Sequence, residues 1–170
     1  VSYRVAKSHI AYIKKVLPSF KIESWEHALE GEINPSMSLD EFYARVKEND
    51  LIMCRYNAPL VKPCLQMLSM GRRAVILGRD IESGILTIIN KIKGSCQTDT
   101  LAEFESNLSE YQIKEINRLL NKNQIGKANL LDDKIQAIFA FSDNISTIPE
   151  LITIVQMVYS DENAQIQFGT

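Results

Sequence analysis

Between Arg55 and Lys93 the chain carries seven basic residues (Arg55, Lys62, Arg72, Arg73, Arg79, Lys91 and Lys93) and two acids, Asp80 and Glu82. That local balance of +5 sits in a chain of net charge −2. Such a segment is either a solvated charge run or a local basic face, and a basic face is what a groove for one nucleic-acid strand needs. The acidic whole excludes a protein that coats nucleic acid through bulk charge. Two residues are also marked by position. Arg55 and Asn57 directly follow the apolar run Leu51-Ile52-Met53-Cys54. If that run is a strand of a parallel sheet, both stand near its carboxyl end, the edge where open α/β sheets bind ligands. Their plainer readings are a surface salt bridge for Arg55 and a cap on the next helix for Asn57. Trp25, the one tryptophan, reads either as a base-stacking platform or as packing over the sheet edge.

Other chemistries find no support. The chain has no G-x-x-x-x-G-K-[ST] segment, and neither Gly71-Arg72-Arg73 nor Gly78-Arg79-Asp80 is a phosphate loop. His9 and His27 are far apart, and Cys54, Cys64 and Cys96 include no CxxC pair, so a zinc site is not expected. Cys54 and Cys64 lie among apolar residues and read as reduced, mostly buried thiols, which implies a cytoplasmic protein. No apolar stretch approaches the ~20 residues of a membrane helix, and Val1-Ser2-Tyr3-Arg4 has the marks of neither a signal peptide nor a start codon. A beginning at Val is expected of a piece of a longer chain.

The elements that must position these residues follow from periodicity. Ile10, Ile13, Val16 and Leu17 mark a helix over 7–17 that stops at Pro18. Residues 22–25 suggest a short strand. Ser38 and Glu41 form a capping-box pair opening a helix to about Lys47. The run 51–54 and the run Ala74-Val75-Ile76-Leu77 read as strands buried on both faces. Between them a helix is expected from near Lys62, with Pro63 in its first turn and Gly71 as its end. Strand, helix, strand is a βαβ unit with a right-handed crossover. From Asp80 onward the pattern is helical. One stripe runs over Ile81–Ile92, and a second over about Asp99–Lys122, broken by Gly126. Helices over 131–141 and 146–159 follow, then alternation over 164–168 as in a half-buried strand. A core sheet interrupted by a helical block is therefore expected.

Three stretches, in order, carry a resemblance. Ser2-Tyr3-Arg4 precedes a helix. The run Leu51–Asn57 with Ala58 is a hydrophobic strand ending in Arg-x-Asn-Ala. The strand Ala74–Leu77 ends at Gly78, before the helical block. This pattern resembles the second RecA-like motor domain of UvrD-, Rep- and PcrA-type superfamily 1 DNA helicases, with a shortened helical insertion. The terminal Ile166-Gln167-Phe168-Gly169-Thr170 resembles the strand that enters the family's T-x-H-x-x-K-G-L-E motif.

The resemblance implies an α/β, RecA-like, mostly parallel sheet with helices on both faces. Residues 1–94 with 164–170 would form the motor domain, and 95–163 the insertion. It implies half of an ATP hydrolase. ATP and Mg²⁺ would bind the full-length enzyme, and this chain alone would hold neither and be inactive. Tyr3 would stack on the adenine. Arg4 would reach the γ-phosphate as the catalytic arginine finger, a rigid fork of donors that stays charged. Arg55, Asn57 and Thr170 would contact DNA. The expected partners are single-stranded DNA and the first RecA-like domain of the same polypeptide, with no membrane and no metal held by the chain itself. The competing function is a catalytically inactive motor-fold module that binds DNA or protein. A small receiver- or flavodoxin-like domain is a third reading, but it calls for an acidic triad or a phosphate loop that the sequence lacks.

Overall fold

The apolar runs near 51, 74 and 166 form one parallel sheet in the computed structural model, which describes residues 1–143, 145–160 and 164–170, apart from the side chain of Arg79. Its strands are β1 (Leu51–Met53), β2 (Ala74–Ile76) and β3 (Ile166–Gly169). The order is β1-β3-β2, so the last strand in sequence lies between the other two. Leu51 pairs with Gln167 and Met53 with Gly169 on one side, and Ala74 with Ile166 and Ile76 with Phe168 on the other. The βαβ segment thus joins two strands that are not neighbours.

β2 is buried at every position, as its unbroken apolar run requires. β1 corrects the expectation of burial on both faces. It is an edge strand, with Leu51 51% and Met53 70% exposed. An apolar run of this length looks the same whether or not the sheet continues past it.

Seven helices accompany the sheet among the described residues: α1 (Lys7–Val16), α2 (Leu39–Arg45), α3 (Ala58–Ser69), α4 (Arg79–Lys93), α5 (Leu101–Asn121), α6 (Ile125–Ser142) and α7 (Ile148–Ser160). Two compact units result, Val1–Arg45 and Val46–Thr170. In the first, Ser38 and Glu41 form the expected capping box, with the Glu41 N–H on Ser38 Oγ and the Ser38 N–H on Glu41 Oε2. Residues 22–25 contribute only a bridge between Ser24 and Ser2.

In the second unit α3 begins at Ala58, not near Lys62. Pro59 lies in its first turn and Pro63 in its interior. The helix can start early because its first N–H groups find an acceptor outside the helix, described below. It ends at Gly71 (φ +75), whose N–H reaches Leu68 O while Arg72 N–H reaches Met67 O. These are the two bonds of a left-handed helix stop. The break after α5 shows the same pattern at Asn123 (φ +55), with Asn123 N–H on Leu120 O and Gln124 N–H on Leu119 O. Gly126, expected as the breaker, lies inside the first turn of α6.

The helices expected as an inserted subdomain share the second unit with the strands. α6 packs on α3, α4 and α5, and α7 packs on β2 and α4. Their buried stripes, Ile135, Ile138 and Phe141 on α6 and Leu151, Val155 and Val158 on α7, continue the core of Val61, Met67, Ile85 and Ile89.

Candidate functional site

The three parallel strands end at one edge. Cys54 N–H donates to Gly169 O at 3.0 Å and Leu77 N–H to Phe168 O at 2.7 Å, which carries both ladders one residue beyond the strands. Three segments leave the sheet there: Arg55–Asn57 after β1, Gly78 after β2 and Thr170 after β3. Gly78 has φ +139, and a Cβ on it would stand 2.7 Å from Ile81 Cδ1, so the turn into α4 requires glycine. Arg55 and Thr170 are exposed at the ends of adjacent strands. Arg55 makes no ion pair among the described residues, so the salt-bridge reading of it is not realised.

Asn57 is placed differently. It is 8% exposed and has helical backbone angles, and its side chain makes no capping bond. The cap comes from Asp133 on α6. Asp133 Oδ2 accepts from the Asn57 backbone N–H at 2.9 Å and from Asn57 Nδ2 at 2.8 Å, and Asp133 Oδ1 accepts from Ala58 N–H at 3.0 Å. A carboxylate there satisfies N–H groups that have no partner within the helix and meets the positive end of its dipole. It also occupies the position an anionic ligand would take at the start of α3.

An open cleft of about 290 Å³ lies beside this contact, lined by Tyr56, Ala58, Pro59, Asn129, Asp132, Asp133 and Gln136. Its charged lining is acidic, so it does not suit phosphate. Among the described residues no three His, Cys, Asp or Glu side chains gather as a metal site. Asn57 Oδ1 and the Tyr159 hydroxyl are buried without a hydrogen-bond partner among the described residues. Burial first, and then the charge of Asp133, suppress ionisation of that hydroxyl.

Tyr3 and Arg4 belong to the first unit. Both are exposed, Tyr3 at 72%. Ser2 donates its N–H to Glu23 O, and its carbonyl accepts from Trp25 N–H, which sets Tyr3 against Trp25. The two rings are 6.0 Å apart with their planes at 53°, and Trp25 meets His27 edge-on at 5.0 Å. Trp25 is thus part of an aromatic row.

The basic stretch does not assemble into one face. Lys62 pairs with Asp143 at 2.6 Å and Lys93 with Asp99 at 3.6 Å, while Arg72 donates to Val46 O at 2.6 Å. Lys91 lies 4.5 Å over the ring of Tyr111. The side chain of Arg79 lies outside the described residues. Sequence reading missed Asp133. Its signal was an acid in register with Ala137 and Phe141 on α6.

No helix among the described residues is long and apolar enough to cross a membrane. No protein-family model, curated protein or solved structure matches the chain.

Proposed function

We propose that this chain is the second motor domain of an ATP-dependent DNA helicase or translocase of the UvrD type, RecA-like in fold and inactive by itself. One observation carries the reading: Arg55 and Thr170, which are 115 positions apart in the sequence, emerge from adjacent parallel strands at a common carboxyl edge. That edge is where an open α/β sheet meets its ligand. Arg55 and Thr170 contact the backbone of a single strand. Asn57 ties the loop between Arg55 and α3 to α6 through Asp133. Tyr3 and Arg4 act on ATP bound by the preceding motor domain, with Tyr3 against the adenine and Arg4 on the γ-phosphate. The guanidinium acts chiefly on charge that builds in the transition state.

The test uses a polypeptide joining this chain to a first motor domain that supplies the phosphate loop. Arg4→Ala is expected to lower kcat by about 10³-fold or more with little change in KM. Tyr3→Ala is expected mainly to raise KM. Wild-type turnover by Arg4→Ala, or ATP hydrolysis by the 170-residue chain alone, overturns the assignment.

A further inference from the structure

We propose that the groove between α4 and α6 is a second nucleic-acid contact, in which Lys127 and Lys134 take two phosphates of a phosphodiester backbone. The proposal rests on the reading that this chain handles DNA, and it adds a site away from the sheet edge.

The groove has a volume of about 370 Å³ and is lined by Gly84, Thr87 and Ile88 of α4 and by Lys127, Leu130, Leu131 and Lys134 of α6. Both sets follow helical spacing, i, i+3, i+4 on α4 and i, i+3, i+4, i+7 on α6, so one face of each helix meets the other. The lining holds two cations and no acid. Neither lysine makes an ion pair among the described residues, whereas Lys7, Lys62 and Lys93 all do. Seven residues of helix separate the two lysines by about 10 Å along the axis, enough for two successive contacts on one strand.

Gly84 makes room for this arrangement. A Cβ there would collide with Lys134 Nζ and stand 3.1 Å from its Cε, so the ammonium lies across the α4 backbone where any other residue would project. Glycine inside a helix costs about 1 kcal/mol against alanine, and the space it opens is filled by this lysine.

One turn further along the same face of α4, Lys91, with Ser95 just beyond the helix end, lines a second groove with Asn107, Glu110, Tyr111 and Lys114. Four lysines and one glutamate, drawn from α4, α5 and α6, thus line the two grooves, and Lys91 lies over the Tyr111 ring. A run of cations with an aromatic ring suits a polymer of phosphates better than a single small anion. Charge in a chain of net −2 has to act locally in this way.

The test is binding of a fluorescent single-stranded DNA oligonucleotide to the 170-residue chain, read by anisotropy from low to moderate salt. The Lys127→Ala/Lys134→Ala variant is expected to bind at least about 10-fold more weakly. Its log–log salt slope should fall by about 1.4, two single-strand phosphates at about 0.7 each. Gly84→Leu keeps every charge but fills the groove. It is expected to weaken binding comparably while its thermal midpoint holds or rises, which a bulk-charge effect does not predict.

Wild-type affinity in the lysine variant overturns the proposal. If Arg55→Ala then weakens binding, the motor-domain reading stands without the groove. If no oligonucleotide binds the wild type, both fall. If poly-glutamate binds in a lysine-dependent way and DNA does not, the groove belongs to an acidic protein partner and the proposal is overturned.

Discussion

Asp133 holds Asn57 by two hydrogen bonds, one from its backbone N–H at 2.9 Å and one from its side-chain amide at 2.8 Å, across 76 positions of sequence. The contact ties α6 to the loop that carries Arg55. Asp133 is 7% exposed, so its loss cannot be repaired by solvent. Asp133→Ala is expected to destabilise the fold by about 2–4 kcal/mol, since buried donors at Asn57 and Ala58 lose their acceptor at roughly 1–3 kcal/mol each. Asp133→Asn keeps one carbonyl acceptor and is expected to lose less than Asp133→Ala. Urea denaturation of both variants checks the order, and equal stability of Asp133→Ala and wild type rules the cap out as a stabilising contact.

The start of α7 provides a pH test. Glu150 accepts from Ser146 N–H at 3.0 Å and from Thr147 N–H at 3.2 Å, and Thr147 Oγ1 accepts from Glu150 N–H at 3.4 Å. The bond from Ser146, followed by that from Thr147, holds the Glu150 carboxyl below the usual carboxylate range. A depressed folded pKa contributes stability that is present above the unfolded value, about 4.3. That stability is lost as pH falls through the folded value. Glu150→Gln is therefore expected to flatten the acid limb of a stability–pH curve below about pH 4.5 and to leave its alkaline limb unchanged. Thr147→Ala, measured at pH 7, is expected to cost about 1 kcal/mol as the loss of a cap.

Cysteine chemistry separates the three thiols. Burial alone pushes Cys64 up to about 12, and it faces the core with Leu60, Val61 and Met67. Cys54 and Cys96 are part-exposed. With iodoacetamide at pH 8, Cys54 and Cys96 are expected to be alkylated in the folded chain and Cys64 only after denaturation, because the thiolate is the reactive form. The raised value carries the opposite pH sign to Glu150. Its contribution is present below the unfolded thiol value, about 8.5, and is lost as pH rises toward 12. Mass spectrometry of the peptide holding Cys64 checks this, and labelling of Cys64 at the rate of Cys54 contradicts its burial.

The strands and most of the helices were legible because their signals are local. Ala74–Ile76 is an unbroken apolar run, and the stripe Ile85, Ile88, Ile89, Ile92 repeats at helical spacing and is buried throughout. The capping box of Ser38 and Glu41 needs only three residues of context. What escaped depends on distant partners. The order β1-β3-β2 leaves Met53 on an edge, which no feature of 51–54 encodes. The early start of α3, despite Pro63, depends on Asp133, so a local reading delays the helix by a turn. The α5–α6 break fell at Asn123 rather than Gly126 because asparagine also enters the left-handed region at low cost. Of the candidate site, Arg55 was singled out by its position after an apolar run and Thr170 by the resemblance alone. Asn57 was recognised as belonging to a helix start, but its partner was not legible.

Arg55 and Asn57 are two residues apart, and substitutions there are expected to separate binding from stability. Arg55 is exposed and makes no ion pair among the described residues, so Arg55→Ala is expected to leave the thermal midpoint nearly unchanged, within about 0.5 kcal/mol. If its guanidinium meets a single-strand phosphate, affinity falls and the log–log salt slope drops by about 0.7. Asn57→Ala removes one buried hydrogen bond to Asp133 while leaving both backbone bonds in place, so it is expected to cost about 1–2 kcal/mol. DNA affinity of the folded protein should then stay within about twofold, because the amide is engaged by Asp133. Asn57→Asp replaces a donor with a second carboxyl group against Asp133, and like charges at that distance disfavour the ionised pair. It is expected to be the least stable of the three at pH 7. Calorimetry and anisotropy on the same preparations read both quantities. A loss of DNA affinity in Asn57→Ala without a fall in thermal midpoint returns its side chain to the DNA path, and unchanged affinity in Arg55→Ala removes the sheet edge from it.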